Sequence, residues 1–92
     1  TNNNLDVSGY DIVRITSTGN VTITGLTATT KVPVLFVNEN AAAGGTITFS
    51  NESASSTTTN RIRHTALSDL TIQPDGGSLL LAFSTVVNRW RS

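Results

Sequence analysis

The amino-acid sequence predicts an all-β fold, and three observations support that prediction. Thr, Ser and Asn supply 35 of the 92 residues, and these side chains compete with a helical backbone for hydrogen bonds. Short runs of apolar and polar residues recur about every ten positions between Gly, Asn and Ser, which is typical of strands and turns. No segment of helical length carries a helical apolar period. We therefore expect one antiparallel β-sandwich or jelly-roll-like domain over residues 1–92, with about eight short strands.

The first three strands are predicted over 10–16, 21–26 and 32–38, after an N-terminal arm at 1–9 that we expect to be flexible. The "STGN" segment between the first two strands is typical of a tight hairpin. The third strand, "VPVLFVN", shows no polar alternation, so both of its faces are expected to be buried. Pro33 belongs near the start of that strand or at a sheet edge, because proline cannot donate to a ladder.

The second half of the chain alternates loops and strands in the same way. "NESASSTTTN" (51–60) contains only polar or small residues and predicts a long exposed loop. "PDGG" (74–77) predicts a turn, because Pro fixes one dihedral angle and Gly accepts positive φ. The last two strands are expected to form a hairpin. The predicted strands of this half cover 46–50, 61–64, 69–73, 78–83 and 86–90.

A consistent phase in each strand predicts which side chains face the core. His64, at the end of its strand, is expected at the surface. Trp90 is the only tryptophan, and it either closes one end of the core or lies in a contact with a neighbouring subunit. The predicted inward side chains are Ile12, Val21, Ile23, Val34, Phe36, Ile47, Phe49, Ile62, Leu70, Ile72, Leu79, Leu81 and Phe83.

Composition argues against several classes of function. Six acidic and six basic residues balance, so the sequence predicts no field that attracts nucleic acid or an anionic membrane. Cysteine is absent and His64 is the only histidine, so neither a disulfide nor a transition-metal site is expected. The acids are scattered among turn residues, and no Gly-x-Ser-x-Gly elbow accompanies His64. We therefore expect a protein that is not an enzyme and uses no cofactor.

Two short segments, "NRIRH" and "NRWRS", carry most of the positive charge. Strand alternation places Arg61 and Arg63 on one face, and Arg89 and Arg91 on one face, with Trp90 on the other. One interpretation is a solvated face that discourages edge-to-edge aggregation. The other is a contact with acidic groups on a neighbouring subunit, because arginine and tryptophan are typical anchors of protein interfaces.

Chain length also favours association with a partner. A domain of this size buries a limited fraction of its surface, so a partner chain is the remaining source of stability when disulfides and metals are absent. We therefore expect the isolated chain to self-associate.

The order "VTITGL", an apolar strand, "TITFSNESASS", "NRI", "DLTIQPDGGSLLLAF" and a terminal "NRWR" resembles a β-rich module of tailed-bacteriophage virion proteins. The similar stretch runs from about Val21 to Arg91. The resemblance implies a non-enzymatic virion protein that is often a homotrimer, and it carries over no functional site.

Three functions follow as hypotheses. The first is a capsid decoration or cement protein that binds the major capsid protein or other virion proteins and stabilises the phage head. A start at Thr1 after loss of an initiator Met would make the chain complete and favours this hypothesis. The second is the receptor-binding domain of a tail fibre, with loop 51–60 contacting host glycans. The third, a stand-alone enzyme, lacks a catalytic constellation. The first two imply assembly in the host cytoplasm and a final location in the virion.

Overall fold

The computed structural model describes all 92 residues, and short strands make up nearly all of its regular structure. One 3-10 turn at Thr58–Asn60 is the only helical element. The all-β prediction is therefore confirmed, with ten strands in place of about eight. The strands are β1 (Leu5–Asp6), β2 (Ile12–Ile15), β3 (Val21–Ile23), β4 (Leu26–Thr27), β5 (Val34–Asn38), β6 (Ile47–Phe49), β7 (Ile62–Arg63), β8 (Leu70–Ile72), β9 (Ser78–Ser84) and β10 (Arg89–Arg91).

The first six strands form two stacked turns of a coil. Strands β1, β2 and β3 lie in three different sheets, and β4, β5 and β6 repeat that circuit. Each strand of the second turn runs parallel to its counterpart in the first. Leu5 lies opposite Leu26, and Val21 lies opposite Ile47. This stacking of successive turns is the arrangement of a short β-solenoid.

The remaining strands close the coil. Strand β8 pairs antiparallel with β6, and β9 pairs antiparallel with β5. Strand β10 then pairs antiparallel with β9 and parallel with β7. The result is a five-stranded sheet in the order β2-β5-β9-β10-β7, a three-stranded sheet in the order β3-β6-β8, and the β1-β4 pair. Parallel pairs outnumber antiparallel pairs, so the prediction of wholly antiparallel sheets is wrong.

The two predicted hairpins have different outcomes. The prediction of a hairpin at "STGN" is wrong, because β2 pairs with β5 and β3 pairs with β6, and β2 and β3 do not pair with each other. The segment is instead a corner of the coil, and Asn20 Oδ1 accepts a 3.0 Å hydrogen bond from the Thr46 N–H of the next turn. Gly45 lies directly against the Gly19 carbonyl, where a Cβ would clash. The closing hairpin of β9 and β10 is confirmed, and Asn88 takes the positive φ of 53° that its turn requires.

The core fills the interior between the three sheets. Eight members of the predicted inward set are buried, and Val21, Leu70, Leu79 and Phe83 are partly buried against them. The prediction that Ile12 faces inward is wrong, because 44% of its surface is exposed. It shares a face with Arg14, and the strand instead turns Val13 and Ile15 toward the core. The core also contains side chains outside the predicted set, namely Val7, Leu26 and Trp90.

Strand β5 alternates in burial, although its sequence does not alternate in polarity. Leu35 and Val37 are half-buried on the outer face, while Val34, Phe36 and Asn38 are fully buried. The prediction of burial on both faces is therefore wrong, because no element covers the outer face of the five-stranded sheet. Asn38 is buried and is satisfied by donating to the carbonyls of Gly45 and Ile72 and accepting from the Asn40 N–H.

The predicted N-terminal arm packs against the body of the domain. Residues 1–9 contain β1, and Val7 is buried in the core. The Asn4 side chain accepts hydrogen bonds from Thr57 N–H and Asn60 Nδ2 in the loop at 51–60. The flexibility of the arm stays a prediction. Most of the loop is exposed or half-buried, but Ser56 is buried and its hydroxyl hydrogen-bonds that of Thr24.

Candidate functional site: an arginine face at one sheet edge

Four arginines lie together on the outer face of the five-stranded sheet. Strands β7 and β10 are parallel neighbours at one edge of this sheet, with Trp90 opposite Ile62 and Arg91 opposite Arg63. Paired residues point to the same side of a sheet, so the buried Trp90 and Ile62 place their flanking residues outward. We call Arg61, Arg63, Arg89 and Arg91 the arginine quartet.

Glu52 is the one carboxylate within salt-bridge distance of the quartet. Its Oε1 accepts a 2.7 Å hydrogen bond from Arg89 Nε, and its Oε2 lies 4.0 Å from Arg63 Nη1. The Glu52 N–H donates to the Ile62 carbonyl and so covers the outer edge of β7. Glu52 has a positive φ of 49°, a conformation that non-glycine residues rarely adopt. The quartet thus has one carboxylate partner within the chain, and that carboxylate contacts only Arg63 and Arg89.

Two members of the quartet are fixed by their own domain. The Arg89 guanidinium donates to the carbonyls of Val87 and Asn88 in addition to Glu52. Arg61 Nε donates to the Ser56 carbonyl at 3.1 Å. Arg63 reaches only the long contact with Glu52, and the Arg91 side chain forms no hydrogen bond within the chain. Arg63 and Arg91 are therefore the members best placed to donate to another molecule.

Trp90 is fully enclosed, with 0% of its surface exposed. The indole Nε1–H donates a 3.0 Å hydrogen bond to the Leu26 carbonyl, and the ring packs edge-to-face against Phe83 with centroids 5.6 Å apart. Burial supports the alternative in which Trp90 closes the core. Its ring cannot touch a partner from this position, so any part it has in an interface is to hold Arg89 and Arg91 outward.

His64 is buried, so the prediction of a surface histidine is wrong. Its Nε2 lies 2.9 Å from the Phe49 carbonyl and its Nδ1 lies 3.0 Å from Ser92 Oγ. A carbonyl only accepts, so Nε2 carries the hydrogen, and in the neutral ring Nδ1 accepts from the Ser92 hydroxyl. Both ring nitrogens are thus satisfied, and the ring ties the chain end beside Arg91 to β6. Alternation in phase with the buried Ile62 was a sequence signal for this burial.

The opposite edge of the same sheet borders a small cavity, and three acidic residues lie at or near it. The cavity has a volume of about 260 Å³ and lies between β1 and β2. Asp6 and Arg14 line it, Asp11 precedes β2, and Glu39 accepts a 2.6 Å hydrogen bond from Arg14. We call Asp6, Asp11 and Glu39 the acidic edge. The Ser8 side chain and the Ser8 N–H lower the pKa of the Asp6 carboxyl below its ordinary value, because both favour the carboxylate.

The zero net charge of the chain therefore conceals a separation of charge. Four of the six cationic side chains lie with Glu52 at the β7 edge, whereas three of the six acids lie at or beside the β2 edge with one cation, Arg14. The four strand spacings between these edges amount to roughly 19 Å, which exceeds the Debye length of about 8 Å at physiological salt. The two edges are thus screened from each other within one chain and are available to attract other molecules.

The arrangement can bind carboxylates and other anions through guanidinium donors. The structure brings together the four arginines that the sequence singled out, although their contact with a partner stays a prediction. The sequence did not reveal Glu52 as their acid, because its position depends on the bridge between Asn51 and Ile62 and on its own positive φ. No three His, Cys, Asp or Glu side chains are grouped as a metal site would require. No helix is long and apolar enough to cross a membrane. No protein-family model, curated protein or solved structure matches the chain.

Proposed function

We propose that this chain is a non-enzymatic structural protein that docks onto an acidic surface of a neighbouring subunit through the arginine quartet. The observation that carries this proposal is the grouping of four arginines with a single carboxylate, Glu52, which pairs with only two of them, Arg63 and Arg89. A surface that serves only solubility does not require such an excess of positive charge, because interspersed positive and negative charges are sufficient. Planar guanidinium groups instead favour bidentate contacts with carboxylates.

A tailed-phage virion is the setting that we propose, because of the strand and turn pattern that the chain shares with the virion module. In that setting the protein is a capsid decoration or cement protein that stabilises the head. The receptor-binding domain of a tail fibre is the alternative. For that role Tyr10 is the exposed aromatic ring, with 58% of its surface accessible, and it lies at the cavity and not in loop 51–60.

Binding to an acidic peptide tests the docking role. A fluorescein-labelled glutamate decapeptide serves as the probe, with a serine decapeptide as the neutral reference, at about 50 mM NaCl where exposed charges are weakly screened. We expect the glutamate peptide to bind and the serine peptide not to bind. Arg63→Gln/Arg91→Gln should weaken binding about tenfold or more, because two donors without other strong contacts are lost.

A matched control separates the quartet from overall charge. Ala42→Glu/Ala43→Glu changes the net charge by the same amount in an exposed turn away from the quartet. This control should lose much less affinity than the arginine variant. Equal losses in the two variants, or no binding by the native chain, would overturn the docking role. Immunogold labelling of phage virions with an antibody to this chain then tests the proposed location. Label on heads supports a decoration protein, and label on fibres supports a tail-fibre domain. Label on neither rejects both.

A further inference from the structure

The two oppositely charged edges belong to one sheet, and this relation identifies a partner. The quartet requires acceptors, and the β2 edge provides two kinds of them. Carboxylates are present on Asp6, Asp11 and Glu39, and they exceed the one cation at this edge, Arg14, which pairs with Glu39. Backbone carbonyls are present as well, because β2 is an edge strand with a neighbour on one side only.

The hydrogen bonds between β2 and β5 show which backbone groups are free. Leu35 N–H donates to the Asp11 carbonyl, and Glu39 N–H donates to the Ile15 carbonyl. In a parallel pair, every second residue of a strand uses both its N–H and its C=O to bond the neighbouring strand. On this side of β2 those residues are in phase with Asp11 and Ile15, so Ile12 and Arg14 direct their N–H and C=O groups away from β5. Ile12 and Tyr10, which both line the cavity, are among the exposed large apolar side chains. The β2 edge therefore combines carboxylates, free carbonyls and apolar surface, as an interface for arginine requires.

We infer that the arginine quartet of one copy binds the acidic β2 edge of a second copy, so that the chain associates head to tail. This inference rests on the proposed docking function and names the acidic neighbour. The β7 edge cannot extend the sheet by strand pairing, because Asn51 and Glu52 already cover it. The contact is therefore made by arginine side chains, which donate to the carboxylates and free carbonyls of the next copy.

The symmetry of such a contact determines the size of the assembly. The two surfaces are different, so the contact is heterologous and a pair of copies still has one free quartet and one free acidic edge. Further copies add until a ring closes or an open chain forms. Because the contact is largely electrostatic and exposed, it should weaken as salt rises.

Multi-angle light scattering and sedimentation velocity of the native chain provide the first test. At about 50 mM NaCl and rising concentration we expect a mass beyond twice the 9.7 kDa of one chain. At about 500 mM NaCl we expect the mass of one chain. The glutamate decapeptide should also dissociate the assembly, because it competes for the quartet.

Charge exchange provides the decisive test. Arg63→Glu/Arg91→Glu gives a chain that is acidic at both edges, and Asp11→Lys/Glu39→Lys gives a chain that is basic at both edges. Each variant alone should remain monomeric, and an equimolar mixture of the two should associate again. Circular dichroism verifies that each variant is folded, and if an exchange variant is unfolded, the milder Arg63→Gln/Arg91→Gln and Asp11→Asn/Glu39→Gln variants should each abolish association.

Three outcomes would overturn the inference: a native chain that is monomeric at every concentration in low salt, a mixture that fails to associate, or a closed dimer that salt does not affect. The proposed docking function would survive the first outcome if the native chain still bound the glutamate peptide and the arginine variant did not. Loss of both peptide binding and association would reject both proposals.

Discussion

Replacing Trp90 separates its two possible roles, because the structure gives the indole a measurable share of stability. The side chain is fully buried, donates to the Leu26 carbonyl at 3.0 Å and contacts the Phe83 ring. Truncating a buried Trp to Ala costs about 3–5 kcal/mol of unfolding free energy. A chain of 92 residues has roughly 5–14 kcal/mol in total. Trp90→Ala should therefore leave a domain that is marginally stable or unfolded.

Trp90→Phe isolates the hydrogen bond from the packing. This variant keeps a ring against Phe83 but leaves the Leu26 carbonyl without its donor, which costs about 1–3 kcal/mol for a buried polar group. The free energy of unfolding measured in urea should be highest for the native chain, lower for Trp90→Phe and lowest for Trp90→Ala. Far-UV circular dichroism must follow the transition, because the substitution removes the only tryptophan fluorophore.

One combination of results would contradict a core role for Trp90. If Trp90→Ala loses less than about 1 kcal/mol of unfolding free energy but no longer self-associates, the indole acts at an interface and its burial is not what stabilises the domain. Cooperative destabilisation measured at a concentration where the chain is monomeric would instead establish the core role.

Three further predictions concern the core, a buried amide and an exposed acid. Phe49→Ala should cost about 3–5 kcal/mol in urea unfolding, because the ring is buried and packs edge-to-face on Phe36; a loss below about 1 kcal/mol would contradict this placement. Asn38→Ala should cost about 1–3 kcal/mol, since the Ile72 carbonyl and the Asn40 N–H each lose a partner while the Gly45 carbonyl keeps the Asn40 amide as donor, and an unchanged midpoint would refute the assigned hydrogen bonds. Asp6 should titrate by NMR below its ordinary pKa, so its stabilising contribution is present at neutral pH and is lost as pH falls through that lowered value; an ordinary pKa would refute the Ser8 contacts.

Strand positions could be predicted from the sequence because alternation is a local property. Residues such as Ile47 and Phe49 reveal their common face without knowledge of the neighbouring strand. Alternation alone predicted the wrong face for Ile12. Arg14 shares its face, so placing Ile12 inward would also place Arg14 in the core. The charge on Arg14 was therefore a usable signal. His64 likewise shares the phase of Ile62, and that phase outweighed its polarity because both ring nitrogens found partners.

Strand partners could not be predicted, because pairing depends on distant segments. The "STGN" corner has the composition of a hairpin turn, and only the parallel partners of β2 and β3 show that the chain continues around a coil. The same limit applies to the candidate site. Each arginine pair was visible in its own strand, but the quartet exists only because β7 and β10 are adjacent. Charge balance in the composition likewise concealed the two charged edges.

The hydrogen bond from Trp90 to Leu26 has a consequence for how the chain is made. It joins residues 64 positions apart, and β10 is also the strand that connects β7 to the rest of its sheet. The stacked turns and β7 leave the ribosome before β10 does. Leu26 and Ile62 therefore remain uncovered until β10 has been made. Folds dominated by such distant pairings form slowly and leave apolar surface exposed in the interval. The interior of residues 1–92 thus closes only after β10 has emerged, and we expect a product truncated before Trp90 to be prone to aggregate.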